Sequence, residues 1–201
     1  MEIWQLYAQL GFEHIAAWNG YDHILFLIVL CVGYEPKEWK KILFLITAFT
    51  IGHSLTLILA TLKIITLPSN IVEFAITSTI LISAILNLFP SKHSKSNYYT
   101  PKYFIAGSFG LIHGLGFAGG LQSLLGKEQS IVLPLFSFNL GLEIGQIVVM
   151  GAFLTIHYLV IERLKVKPLL WNKIISLIAI VVSIHLIMST YLTILARFVF
   201  S

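Results

Sequence analysis

Apolar residues run along the chain in six long blocks, near 20–33, 41–62, 70–89, 102–125, 131–160 and 171–198, with short polar or proline-containing segments between them. A helix needs about 20 apolar residues to cross the hydrocarbon core of a bilayer. The pattern therefore predicts an all-α fold, a polytopic membrane bundle of about six transmembrane helices. The first block is short unless Phe12–Asn19 continues it, and the fifth is long enough to tilt or to extend beyond the membrane. Ahead of them, Ile3–Leu10 carries Trp4 and Tyr7 and reads as an interfacial segment.

Composition sharpens this picture. With 57% hydrophobic and 11% charged residues, the chain departs from soluble domains in both directions, which excludes a water-soluble globule. No polar stretch is long enough for a separate soluble module, so residues 1–201 read as a single integral membrane domain. A net charge of +4 would suggest nucleic acid in a soluble protein, but these lysines lie in short segments between apolar blocks and read as topology signals. Lys37, Lys40, Lys41, Lys92, Lys95, Lys102, Arg163, Lys165, Lys167 and Lys173 fall on one side, leaving Lys63, Lys127 and Arg197 on the other. The positive-inside rule then predicts a bacterial inner (cytoplasmic) membrane protein with both termini extracytoplasmic. No cleaved signal peptide is expected at the N-terminus. The single cysteine, Cys31, offers neither a disulfide nor a thiolate cluster and reads as a packing or lipid-facing residue.

Ionisable groups inside the blocks are the candidate chemistry, because each costs at least about 2.5 kcal/mol near the bilayer centre and calls for a partner, water or a bound ion. The topology puts His14, Asp22 and His23 near the external mouth of the first span and Glu73 at the external start of the third. At 1.5 Å per residue, His53, His113, Glu143 and His185 lie on the order of 16–20 Å deep. The candidate metal ligands are His14, Asp22, His23, His53, His113 and Glu143, in an outer and a deeper layer. Imidazole and carboxylate without thiolate suit a divalent nickel, cobalt or zinc ion. His157 and His185 are expected simply to bond a neighbouring helix, and His93 to be solvated in its lysine-rich loop.

Helical phase supports an inward polar stripe, since Asn139, Glu143 and Gln146 share one face of the fifth block. Thr50 and Ser54 flank His53. The glycines 107, 110, 114, 116, 119 and 120 around His113 fit either tight helix packing or a broken helix lining a cavity. An internal echo is also visible: FTIGHSL at 49–55 and FGLIHGL at 109–115 share F-x-x-x-H-x-L. More loosely, each hairpin pairs an acid with a histidine: Asp22 with His53, Glu73 with His113, Glu143 with His185.

Four segments, HIAAWNGYDHILF from His14, TAFTIGHSLTL from Thr47, FGLIHGLGFAGG from Phe109 and FNLGLEIGQ from Phe138, together resemble the HupE/UreJ family. That resemblance implies divalent metal uptake, of nickel or cobalt, beside a hydrogenase or urease maturation system. A histidine followed by an Asp-His pair in the first helix of the permeases maps onto His14, Asp22 and His23, with longer spacing here. Of the second permease motif, His113-Gly114 matches, while Phe117 stands in place of a second histidine and Gly120 in place of a glutamate. The chain thus looks like a divergent branch in which His53 and Glu143 replace the missing ligands.

Three functions fit these residues. In a permease, the outer His14, Asp22 and His23 capture a hydrated ion and His53, His113 and Glu143 pass it inward; without a P-loop, transport is facilitated or ion-coupled. In an intramembrane zinc hydrolase, three ligands hold the metal and Glu143 or Asp22 acts as general base on a lipid or a membrane-tethered peptide. In a haem protein, paired transmembrane histidines supply axial ligands. The expected partners are the metal ion and the lipid bilayer, with no nucleic acid.

Overall fold

In a computed structural model, residues 2–17, 20–89, 99–125 and 130–199 are described, and among them there are eight α-helices and no strands. They are α1 (Ile3–Ala16), α2 (Tyr21–Cys31), α3 (Trp39–Thr61), α4 (Ser69–Leu88), α5 (Tyr99–His113), α6 (Ala118–Leu125), α7 (Val132–Tyr158) and α8 (Pro168–Val199). A short 3-10 turn, Pro36–Glu38, leads into α3, and one π-helical turn, Leu159–Arg163, prolongs α7. The readings placed on Lys92, His93, Lys95 and Lys127 lie outside the described residues.

Four stretches, Pro36–Thr61, Ser69–Leu88, Val132–Arg163 and Pro168–Thr193, are long and apolar enough to cross a membrane. Two bent pairs, α1 with α2 at 65° and α5 with α6 at 54°, bring the number up to six. Large apolar side chains stand on the outside, Phe44 at 68%, Phe104 at 78% and Val132 at 72% exposure, as expected where the surrounding solvent is lipid.

Without a hydrophobic driving force between helices in lipid, close packing of small residues holds such bundles together. Two pairs do this here. A Cβ on Gly141 would run into the Ala8 carbonyl and one on Gly11 into the Phe138 carbonyl, so α1 and α7 lie backbone to backbone. Likewise a Cβ on Gly52 would strike the Gly107 carbonyl, and Cβ atoms on Gly110 and Gly114 would strike the carbonyls of Phe49 and His53. In both pairs the contacts advance along the two helices together, so α1 runs parallel to α7 and α3 parallel to α5. The glycines around His113 therefore serve both purposes left open above: Gly107, Gly110 and Gly114 pack against α3, and the helix breaks at Gly114–Phe117.

Polar side chains join α3 to α7. Thr50 Oγ1 donates to Gln146 Oε1 at 2.8 Å, Ser54 Oγ bonds Asn139 Oδ1, and Thr47 Oγ1 lies 3.5 Å from Glu143 Oε1. The stripe on α7 thus faces inward, and its partners are hydroxyls one turn apart on α3. At the far end of α3, Gln122 Nε2 of α6 donates to the Thr61 carbonyl at 3.1 Å, which ties down the bent end of the α5–α6 pair.

Ile3–Leu10, expected as an interfacial segment, is continuous with residues 11–16 in α1, whose Tyr7, Gly11 and Ile15 are buried while Ile3, Trp4 and Leu6 are exposed. Ile15 packs against Gly145, the midpoint of α7, so α1 descends to mid-bundle before it ends at Ala16, and α2 starts at Tyr21. Gln5, Gln9 and Glu13 hid this helix from a hydropathy reading. Gln9 and Glu13 satisfy each other at 2.7 Å one helical turn apart.

Gly141→Leu should overpack the α1–α7 contact and cost about 1–3 kcal/mol, whereas Gly151→Leu, with nothing within 4 Å, should stay within about 0.5 kcal/mol. Thermal unfolding in detergent, followed by exposure of the buried Cys31 thiol, measures both.

Candidate metal centre

Four histidines from four helices meet at the two helix breaks. His14 ends α1, His23 begins α2, His53 is central in α3 and His113 closes α5. Ring centroids are 4.4 Å apart for His14 and His23, 5.8 Å for His14 and His53, 6.5 Å for His23 and His53, and 5.2 Å for His23 and His113. One donor atom from each of His14, His23 and His53 lies within 4.8 Å of the others. Two nitrogens on one zinc ion sit about 3.3 Å apart at a tetrahedral angle, so modest ring rotations would close this set around an ion. The outer and deeper layers expected from depth alone are thus one cluster, because the α1 helix carries His14 down to the level of His53.

Proton bookkeeping shows which nitrogens are free. Asp22 Oδ1 lies 3.0 Å from His23 Nδ1, and a carboxylate only accepts, so that nitrogen carries the proton and Nε2 keeps its lone pair. Thr79 Oγ1 gives its single proton to the Ile76 carbonyl at 2.6 Å and therefore accepts from His113 Nε2 at 2.9 Å, leaving Nδ1 of His113 with a lone pair. His53 has no partner on either nitrogen, and His14 has none on Nε2. Five buried imidazole nitrogens, on four rings, are therefore unpartnered in one place. Buried polar atoms are normally hydrogen-bonded, and imidazole lone pairs oriented by a carboxylate or hydroxyl behind the ring are the usual architecture of a metal ligand.

The surroundings favour a cation. An open cleft of about 410 Å³ reaches His14 and His23 from the end of the bundle where α3 ends and α4 begins, and Glu13, Asp22 and Glu73 line it. Helices α1 and α5 both end at the cluster, and a helix C-terminus carries partial negative charge. Opposite the cleft the cluster rests on phenylalanines. Phe26 lies 4.7 Å from the His113 ring, and Phe49 lies 5.2 Å from His113 and 6.0 Å from His53. Phe109 packs on Phe26 at 6.1 Å. The F-x-x-x-H echo has a geometric meaning here, since Phe49 and Phe109 each lie one turn below the histidine of their own helix.

The remaining candidates lie elsewhere. Glu143 is half-buried, and its recorded partner is Thr47 rather than a histidine. Glu73 is exposed on the cleft, and His185 is exposed on α8. Asp22 pairs with its neighbour His23, so the looser scheme of one acid and one histidine per hairpin does not describe the contacts. His157 is buried, yet its Nδ1 lacks the hydrogen bond expected for a structural histidine. Sequence reasoning missed Thr79 and Glu13: a threonine in an apolar helix and a glutamate in a polar one carry no pattern that announces them.

The family described as HupE / UreJ protein matches residues 1–194. The chain belongs to the HupE/UreJ family. No curated protein and no solved structure matches it. In this HupE/UreJ member Phe117, in the break between α5 and α6, lies against His14 at 4.4 Å and stacks on Phe138 at 5.0 Å. Gly120 lies behind that ring, where a Cβ would stand 3.6 Å from it. An aromatic wall of the cleft thus occupies the positions at which the resemblance implied a second histidine and a glutamate.

Thr79→Val and Asp22→Asn each remove a group that orients a histidine, and each should weaken divalent-ion binding about 10- to 100-fold with the fold retained. Calorimetric titration of the purified, untagged protein with nickel and cobalt reads this directly.

Proposed function

We propose that this protein is a divalent transition-metal permease, with nickel or cobalt as cargo, working in the cytoplasmic membrane as one integral unit with both termini outside. The observation that carries this reading is the convergence of five unpartnered buried imidazole nitrogens beneath an acid-lined cleft. Family membership adds support, since the HupE/UreJ family is linked to nickel and cobalt accessory or transport functions. Hydrogenase or urease maturation is the process such an ion would feed.

The carboxylates of Glu13, Asp22 and Glu73 attract a hydrated cation into the cleft. His14, His23 and His53 exchange some of its waters for imidazole nitrogen, and His113 offers a further donor through Nδ1. Neutral imidazoles suit borderline divalent ions, and a site for transport must release as readily as it captures. Below the cluster, Phe26, Phe49 and Phe109 close the path with apolar surface, which an ion cannot cross until these helices shift. Glu143 serves in this reading as a half-buried acid on the α3–α7 seam rather than as a ligand. A second reading, an intramembrane zinc hydrolase, is favoured by one observation: His14 and His23 open onto a cleft large enough for a substrate with the buried His53 beside them, and Asp22 or Glu13 stands nearby as a base.

Elemental analysis of the purified protein beside His53→Ala and His113→Ala separates the two. The permease reading expects little retained metal, nickel or cobalt binding on titration that either substitution weakens, and nickel accumulation by expressing cells that falls to background in His53→Ala. Roughly one zinc retained per chain, in the stoichiometry of a resident catalytic ion, would favour the hydrolase. Ion binding indifferent to both substitutions would overturn the site itself.

A further inference from the structure

At the other end of the bundle from the cleft, a second open pocket of about 400 Å³ lies between the α2–α3 connection, the π-helical end of α7 and the start of α8. His157, Glu35, Glu162 and Asn172 line it. From Gly145, level with the cluster, to His157 is 12 residues along α7, about 18 Å at 1.5 Å per residue, with the phenylalanine floor between. The two pockets are separate.

We infer that this inner pocket is a second divalent transition-metal site, in which His157 supplies the nitrogen ligand and Glu35 and Glu162 hold the ion's water shell. Two independent features point to it. His157 is 5% exposed, and its Nδ1 is buried without any partner, so a nitrogen that would cost free energy if left idle stands beside the pocket. The charge is also appropriate. Glu35 and Glu162 line the pocket, whereas the lysines that pair with them, Lys37 and Lys165, are 77% and 78% exposed and do not. Ion pairs on exposed side chains are weak, so a divalent cation displaces these lysines readily. Among the described residues only His14, His23 and His53 hold three donors within 4.8 Å, so the inner donors are spread out. One imidazole with dispersed carboxylates in a cavity of this volume suits an ion that keeps several of its waters, bound more weakly than at the cluster. The imidazole selects nickel, cobalt or zinc over magnesium, which prefers oxygen. A π-turn at the end of α7, a feature frequent at functional sites, shapes the rim. This goes beyond the transport reading and does not depend on it.

Trp171 gives a local probe, since its ring lies 6.4 Å from that of His157. In a full-length, untagged variant with Trp4, Trp18 and Trp39 changed to Phe, nickel chloride should quench Trp171 fluorescence along a saturating curve. His53→Ala, which removes cluster binding, should leave that curve in place. His157→Gln should abolish saturable quenching, and Glu162→Gln, on an exposed side chain that does not disturb packing, should shift the curve to higher nickel. Quenching that does not saturate, that is unchanged in both His157→Gln and Glu162→Gln, or that disappears with His53→Ala would overturn the inner site. Saturable, His157-dependent quenching in a protein whose cluster binds no ion would uphold the inner site while sinking the permease reading.

Discussion

Unpaired imidazole nitrogens at the centre of an apolar bundle are the constraint on which the rest of the structure turns. In a low-dielectric interior a polar atom without a partner is destabilising, and here several such atoms are held together rather than dispersed. Asp22 and Thr79 hold two of the rings by their outer nitrogens, and Phe26, Phe49 and Phe117 lie in contact with rings of the cluster. The bundle holds these nitrogens together beside an open cleft.

Helix backbones brought into contact by glycine make that arrangement possible. The parallel pairs α1–α7 and α3–α5 are close enough that a methyl group at Gly52, Gly110, Gly114 or Gly141 has no room. Close approach brings the backbone at His53 against Gly110 and Gly114, on either side of His113, and α1 and α5 end at the histidine cluster with the partial negative charge of their C-termini. The hydroxyl and amide bonds between α3 and α7 then hold the two pairs in register.

Arranged along the bundle, these features alternate in polarity: an acid-lined cleft, a histidine cluster, a layer of phenylalanine and an inner pocket with its own histidine and acids. Polar compartments separated by one apolar layer can exchange an ion only when helices move. The helices that bear the phenylalanines are those that bear the histidines: Phe26 and His23 lie on α2, Phe49 and His53 on α3, and Phe109 and His113 on α5.

Much of this was legible in the chain. The long apolar blocks determined an all-helical membrane bundle, because the length of hydrocarbon to be crossed is a one-dimensional property that a sequence records directly. Residue type likewise identified His14, Asp22, His23, His53 and His113 as the unusual groups, since intramembrane ionisable side chains need a reason. Depth and partnership were not legible. Gln9 donates a hydrogen bond to Glu13 across one turn of α1, and the polarity of the two made the start of a helix that descends to mid-bundle read as an interfacial segment. Glu143, which has the same composition signal as the histidines, lies 3.5 Å from Thr47 Oγ1 on the α3–α7 seam. Which helices break, which hydroxyl orients which ring, and which of several buried polar groups meet are decided by contacts between segments far apart in sequence. Those contacts are set by backbone approach at particular glycines, and only the tertiary structure records them.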